Sequence, residues 1–159
     1  MDMMPAHDTN PPAAPTVVAD EGACAVTRAL LQAAHAVEAR LEASLEGAGM
    51  SLAKLSVLRH LVHAGEPLPL SQLAERSSCV RSNMTQLIDR LEADGLVRRV
   101  SDANDRRSVR ATLTRAGQRR HDHAVQLLEA REGEIVAPLD GAERATLTRL
   151  LLLLVGEGR

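Results

Sequence analysis

The sequence of 159 residues contains no phenylalanine, tyrosine or tryptophan. The 45% of residues that are apolar must therefore build a hydrophobic core from aliphatic side chains and methionine. Aromatic and β-branched residues favour strands, whereas leucine, alanine and methionine favour helices. The composition therefore predicts a mainly α-helical protein. It also argues against modules that hold single-stranded nucleic acid by stacking bases on aromatic rings.

Charge is divided unevenly along the chain. Residues 71–120 contain eleven arginines and six acidic residues and carry +5, whereas the rest of the chain carries −7 and the whole chain −2. A basic centre between acidic flanks is the pattern expected of a surface that binds a polyanion. Charge alone leaves a solvated, arginine-rich surface as the alternative.

The cysteines and the apolar runs bear on where the protein works. Cys24 and Cys79 make neither a disulfide framework nor a Cys-x-x-Cys metal knuckle. The first 25 residues lack a basic start followed by an apolar core, and the longest strongly apolar run, Leu150 to Val155, is too short to span a bilayer. We therefore expect a soluble, cytoplasmic protein that does not act at a membrane.

Apolar residues recur at helical spacing along most of the chain. Residues 1–20 lack this periodicity and are rich in Pro, Ala, Asp and Asn, which predicts a disordered tail. The pattern then predicts six helices. They lie at about residues 22–46, from Ser51 to the break at Gly65, and at about 70–77, 81–94, 115–136 and after Asp140.

The last predicted helix has an unusual distribution of leucine. Leu147 and residues 150–155 point in all directions around the helix. A helix that is apolar all round must be buried on all sides, and a small subunit cannot easily do this at its own terminus. The pattern therefore predicts that a second subunit covers this helix.

A β-hairpin is predicted between the fourth and fifth helices. Leu96 to Val100 forms a short strand, residues 101–107 form a polar loop, and Val109, Ala111 and Leu113 alternate with polar residues. Two short helices, a longer helix with a polar outer face and a hairpin together make a unit that can read double-stranded DNA.

The candidate DNA contacts lie on the fourth helix and on the hairpin. Arginine can bond guanine bidentately, asparagine and glutamine can bond adenine, and serine and threonine can reach bases or phosphates. The outward residues of the helix are Arg81, Ser82, Asn83, Thr85, Gln86 and Arg90. The hairpin adds Arg98, Arg99, Arg106, Arg107 and Arg110, which suit a narrow minor groove. An ordinary amphipathic helix and a solvated hairpin are the alternatives.

Two stretches resemble the MarR family of regulators. They are Leu73-Ala74-Glu75-Arg76 with residues 81–99, and Asp105-Arg106-Arg107-Ser108-Val109-Arg110 closing on Leu113-Thr114-Arg115-Ala116-Gly117. Asp105 and Arg107 match the Asp-x-Arg signature of the family's wing. The resemblance covers about residues 22–156 and is most specific in the centre, since the outer helices match only in length and pattern.

The resemblance implies a winged helix-turn-helix fold, mainly α, with a small β-hairpin wing flanked by long dimerisation helices. It implies a homodimer held by the first, fifth and sixth helices, with the fourth helix in the major groove. Arg107 would reach into the minor groove and Asp105 would brace the wing. The usual role is a repressor that binds an inverted repeat and is released by a small molecule or an oxidant. Val80 departs from the family, which often has Ser or Thr there; Ser78 or Ser82 could cap the helix instead.

The effector is not identified by the sequence. Family ligands are often aromatic acids, but this chain has no aromatic ring to stack on one. Cys24 and Cys79 are candidate redox sensors, because a helix N-terminus near Cys79 can lower a thiol pKa; buried apolar cysteines are the alternative. The histidine pairs His60/His63 and His121/His123 do not complete a four-ligand metal set, so we expect no metal and no cofactor.

The implied domain organisation is a tail at 1–20, a dimerisation helix at 21–50, a DNA-binding domain at 51–114 and dimerisation helices at 115–159. We expect no enzyme, because the chain has no phosphate-binding glycine loop and no Gly-x-Ser-x-Gly or His-Glu-x-x-His motif. The alternative of another class is a dimeric protein-interaction module that uses a winged-helix fold without binding DNA.

Overall fold

The computed structural model describes residues 21–77, 80–101 and 109–156. By its internal contacts the chain divides into two units, Met1–Ala34 and His35–Arg159. The described part of the first unit, residues 21–34, is helical and exposes Val26 and Leu31. This segment begins α1 (Glu21–Glu46), which continues into the second unit. The predicted tail at 1–20 lies outside the described residues, and the predicted domain boundaries stay a prediction.

The second unit holds the remaining helices and a small sheet. After α1 the order is α2 (Leu52–Ala64), β1 (Leu68–Pro69), α3 (Leu70–Arg76), α4 (Arg81–Ala93), β2 (Val97–Ser101), β3 (Val109–Leu113), α5 (Arg115–Val136) and α6 (Gly141–Leu154). The mainly helical fold and the hairpin agree with the sequence prediction, and α5 has the predicted bounds. Strand β1 was not predicted.

The core of this unit is aliphatic, as the composition requires. Leucines from α1, α2 and α3 pack with the inner face of α4 and with residues of the sheet and α5. The fully buried side chains include Leu45, Leu55, Leu58, Leu73, Met84, Ile88 and Leu91. Helices α3 and α4 therefore pack in the same hydrophobic core as the sheet.

The sheet is antiparallel with the order β1-β3-β2. Leu68 pairs with Ala111 and Pro69 with Arg110, while Val97 pairs with Leu113 at the other side of β3. Strand β3 is therefore central, and α3 begins directly after the strand that pairs with it. The helix-turn-helix and the hairpin are thus linked through the sheet as well as through the chain.

Local signals explain several element ends. Ser51 and Thr114 cap α2 and α5, because their side chains accept hydrogen bonds from the amides of Lys54 and Gly117. Asp140 and Glu143 form a capping box at the start of α6.

The apolar side chains of helix α6 are exposed to solvent in the single chain. None of its residues is buried, and its leucines from Leu147 to Leu154 are exposed by 37–62%. Exposed leucines in such number on one helix are typical of surfaces that bind another protein. None of the described helices is both long enough and apolar enough to cross a membrane.

Candidate nucleic-acid interface

Helix α4 separates an apolar face from a polar one. Met84, Ile88 and Leu91, spaced by four and three residues, are fully buried. The predicted reading residues Ser82, Asn83, Thr85, Gln86 and Arg90 are all exposed. The structure therefore brings these five side chains onto the solvent-facing surface of one helix. Arg81 begins the helix, but its side chain lies outside what the structure describes.

The N-cap residue of α4 makes no capping hydrogen bond with its side chain. Val80 occupies the N-cap position with extended backbone, φ −69° and ψ 146°, and its side chain is 63% exposed. Since the valine side chain has no polar atom, it cannot accept a hydrogen bond from the amides of the first turn. Ser82 is exposed within the helix, and Ser78 lies outside the described residues.

The end of α4 is closed by a glycine in the left-handed region. Gly95 has φ +70°. Its amide donates to the carbonyl of Glu92, and the amide of Leu96 donates to the carbonyl of Leu91 at 2.9 Å. This paired arrangement satisfies the last carbonyls of the helix and turns the chain into β2.

Arg98 and Arg99 follow each other on β2 but differ in surroundings. The side chain of Arg98 is exposed. The guanidinium of Arg99 lies between two carboxylates of α4, with Nη2 2.6 Å from Asp89 Oδ1 and Nη1 2.7 Å from Glu92 Oε2. Arg99 is therefore already paired within the chain, which its sequence position alone could not reveal.

The acid–base behaviour of this cluster follows from its contacts. The backbone amide of Arg99 donates to Glu92, and this bond together with the guanidinium lowers the pKa of Glu92. Desolvation alone would lower the pKa of Arg99, but its bonds to Asp89 and Glu92 outweigh that influence and raise the pKa. Both groups are thus held in their charged forms.

The rest of the predicted wing is described only in part. Arg110 is half-buried and its Nη1 donates to the carbonyl of Pro67 at 3.2 Å, which ties β3 to the residue before β1. Asp105, Arg106 and Arg107 lie outside the described residues. Their roles stay predictions that rest on the resemblance.

The other predicted sites are also only partly described. Cys24 is exposed on α1, and Cys79 lies outside the described residues, so redox sensing stays a prediction. Within residues 21–77, 80–101 and 109–156, no group of three or more His, Cys, Asp or Glu side chains could hold a metal ion.

Comparison with known proteins connects this geometry to one family. Residues 50–109 match the model described as "MarR family". The chain is 29% identical over 126 residues to the homoprotocatechuate degradative operon repressor of Escherichia coli, covering 79% of this chain and 84% of the relative.

Solved structures share the fold over most of the chain. Wild-type MarR from E. coli in its apo form superposes with a TM-score of 0.70 at 25% identity, covering 81% of this chain and 96% of that one. A mutant form of E. coli MarR complexed with operator DNA gives a TM-score of 0.72 at 24% identity, covering 84% and 95%.

Proposed function

The chain belongs to the MarR family of transcriptional regulators, and we propose that it is a dimeric, sequence-specific binder of double-stranded DNA that represses nearby genes until an effector releases it. One observation carries the proposal. Ser82, Asn83, Thr85, Gln86 and Arg90 form one exposed face on α4, and their side chains can bond base edges in a major groove.

The chemistry of this face suits duplex DNA. An α-helix fits the major groove, where each base pair presents a distinct set of donors and acceptors. Asn83 and Gln86 can bond adenine through two hydrogen bonds, and Arg90 can bond guanine or a phosphate. Arg98 is exposed on β2 and precedes Arg99, the residue whose ion pairs join β2 to α4. Its guanidinium is suited to contact a phosphate. Arg81, Arg106 and Arg107 extend the proposed contact surface.

A homodimer is part of the proposal. The exposed leucines of α6 need a cover, and a second copy of this chain supplies an identical apolar surface. Two reading helices related by a two-fold axis would bind an inverted repeat with half-sites about one helical turn apart.

The repressor role and the effector rest on the relatives. The E. coli relative is named as an operon repressor, and the mutant E. coli MarR was crystallised with operator DNA. We propose the same mode for this chain, with an unidentified small molecule or an oxidant as the releasing signal and Cys24 or Cys79 as candidate sensors.

Selection from a random duplex pool at two salt concentrations tests the proposal. We expect enrichment of an inverted repeat and an affinity that falls steeply with salt, because arginine–phosphate contacts release counterions. If nothing is enriched even at low salt, the alternative of a dimeric protein-interaction module is favoured. A protein purified with its inducer bound would give the same failure, so the selection is repeated after the protein has been unfolded, dialysed and refolded.

A further inference from the structure

Arg99 joins the wing to the helix that reads DNA. Its Nη2 lies 2.6 Å from Asp89 Oδ1 and 3.5 Å from the carbonyl oxygen of Thr85, and its Nη1 lies 2.7 Å from Glu92 Oε2. The three partners lie on α4 at successive turns, whereas Arg99 lies on β2. One side chain therefore spans about two turns of the helix from the strand.

The main chain of Arg99 reinforces this connection. Its amide donates to Glu92 Oε1 at 2.8 Å, so one carboxylate holds both the backbone and the guanidinium. Strand β2 is an edge of the sheet, since the order is β1-β3-β2. A free amide on that edge would otherwise bond to solvent or to another strand. Glu92 uses it to fix the strand to the helix.

The charges in this cluster argue against a direct role in holding DNA. One guanidinium faces two carboxylates, and its side chain is only 27% exposed. A phosphate that approached Arg99 would compete with both carboxylates and would be repelled by them. The side chain of Arg98 is exposed, and among the residues that the structure describes no carboxylate forms an ion pair with it.

We propose that Arg99 is a positioning residue: it sets the wing strand relative to α4 and supports DNA binding through this geometry, without contacting phosphate. The inference rests on the proposed function. Base contacts from α4 and backbone contacts from the wing have to be made together, and such surfaces work only when the supporting residues hold them within a fraction of an ångström. The planar guanidinium can bridge several oxygen acceptors at fixed angles, which a lysine ammonium cannot do.

The test compares Arg99→Lys, Arg99→Gln and Arg98→Gln by measuring affinity for the selected operator over a range of salt concentrations. A lysine retains the charge and can replace an arginine that merely contacts phosphate. If Arg99 positions the wing, Arg99→Lys should lose about tenfold in affinity, close to the loss in Arg99→Gln. Arg98→Gln should reduce the slope of log K against log salt by about one unit.

A double variant that leaves the net charge unchanged distinguishes a positioning role of Arg99 from a charge contact with phosphate. Arg99→Gln with Glu92→Gln removes one positive and one negative group, so the salt slope should stay at the wild-type value while the affinity falls. Hydrogen exchange without DNA gives a second readout. The Arg99 amide should exchange faster in Glu92→Ala than in the wild type, while amides of the buried part of α4 stay protected.

Distinct results would overturn the inference. If Arg99→Lys binds like the wild type and Arg99→Gln lowers the salt slope by about one unit, Arg99 is a phosphate contact. If all variants bind like the wild type, Arg99 has no role in binding. If the wild type binds no duplex at any salt concentration, the proposed function itself fails, and the inference with it.

Discussion

Gly117, in the first turn of α5, packs against Leu96 so closely that a Cβ atom at this position would lie 2.0 Å from the Leu96 carbonyl oxygen. Thr114 lies beside this contact. Its amide donates to the Leu96 carbonyl at 3.1 Å, and its hydroxyl donates to the Gly95 carbonyl at 2.8 Å. The start of α5 is thus bonded to the residues that end α4 and begin β2.

The first prediction concerns this close approach. Gly117→Ala should lower the free energy of unfolding by about 2–3 kcal/mol, because the contact is with backbone and forces helix and strand apart. Gly133→Ala is the matched control on the same helix. Apart from its chain neighbours and the backbone of its own helix, no described heavy atom lies within 4 Å of a Cβ there, so this variant should gain about 0.5–1 kcal/mol in the free energy of unfolding. Urea unfolding at one fixed protein concentration measures both, and equal stability of the two variants would contradict the packing described.

The second prediction concerns the N-cap position of α4, where the Val80 side chain makes no capping hydrogen bond. Val80→Ser should raise the free energy of unfolding by about 1 kcal/mol, because the extended backbone at this position allows a hydroxyl to bond an amide of the first turn. Val80→Ala removes the exposed isopropyl group without adding a cap and serves as the control. Urea midpoints that coincide for the two variants would show that Val80 is not the N-cap in solution.

The third prediction concerns base recognition by α4. Asn83→Ala should relax specificity at one base pair, costing about 1–3 kcal/mol of discrimination. Arg107→Ala should weaken binding to all sequences alike, since minor-groove and phosphate contacts carry little base information. Binding to a library of single base-pair changes in the operator measures both effects. Wild-type profiles from both variants would show that the reading surface is assigned wrongly.

The fourth prediction concerns the exposed leucines of α6. Replacing Leu147 and Leu151 together by Glu should abolish the dimer, because charges cannot be buried in an apolar interface without partners. Leu151→Met, which nearly conserves volume, should leave the dimer intact. Sedimentation equilibrium measures the mass. A wild-type protein that is a stable, folded monomer at micromolar concentration would refute the dimer proposal.

The fifth prediction concerns pH. The Arg99 amide and guanidinium lower the pKa of Glu92 in the folded state, so the ionised Glu92 carboxylate stabilises the fold. This stabilisation is complete above the unfolded-state pKa of Glu92, about 4.3. It is lost as the pH falls through the lower folded-state pKa. At pH 6 the wild type should therefore have a higher melting temperature than Glu92→Gln. This difference in melting temperature should narrow below about pH 4. Glu129→Gln, which removes the same charge from an exposed position on α5, corrects for net charge. A gap that stays constant down to pH 2 would contradict the assignment.

Much of the fold could be predicted because its signals are local. Leucine periodicity placed the helices, and alternation between Val109 and Leu113 placed β3. Gly95, which closes α4 with positive φ, is a local signal of the same kind, because glycine readily adopts that conformation. Strand β1 could not be predicted, since Leu68 and Pro69 are recognisable as a strand only by their pairing with Ala111 and Arg110.

The surroundings of the two wing arginines needed the three-dimensional structure. Arg98 and Arg99 look alike in the sequence, and both were predicted to contact DNA. Only the folded turn at Gly95 brings β2 back along α4 and places Glu92 and Asp89 against Arg99.

The division of α4 into a buried and an exposed face has a consequence for how such proteins diverge. Met84, Ile88 and Leu91 hold the helix in the core, whereas Ser82, Asn83 and Gln86 have exposed side chains. Substitutions at exposed positions usually change stability by less than about 0.5 kcal/mol. If the exposed face reads DNA as proposed, a duplicated copy of this chain can therefore acquire a new operator through a few changes on that face, while its scaffold is inherited unaltered.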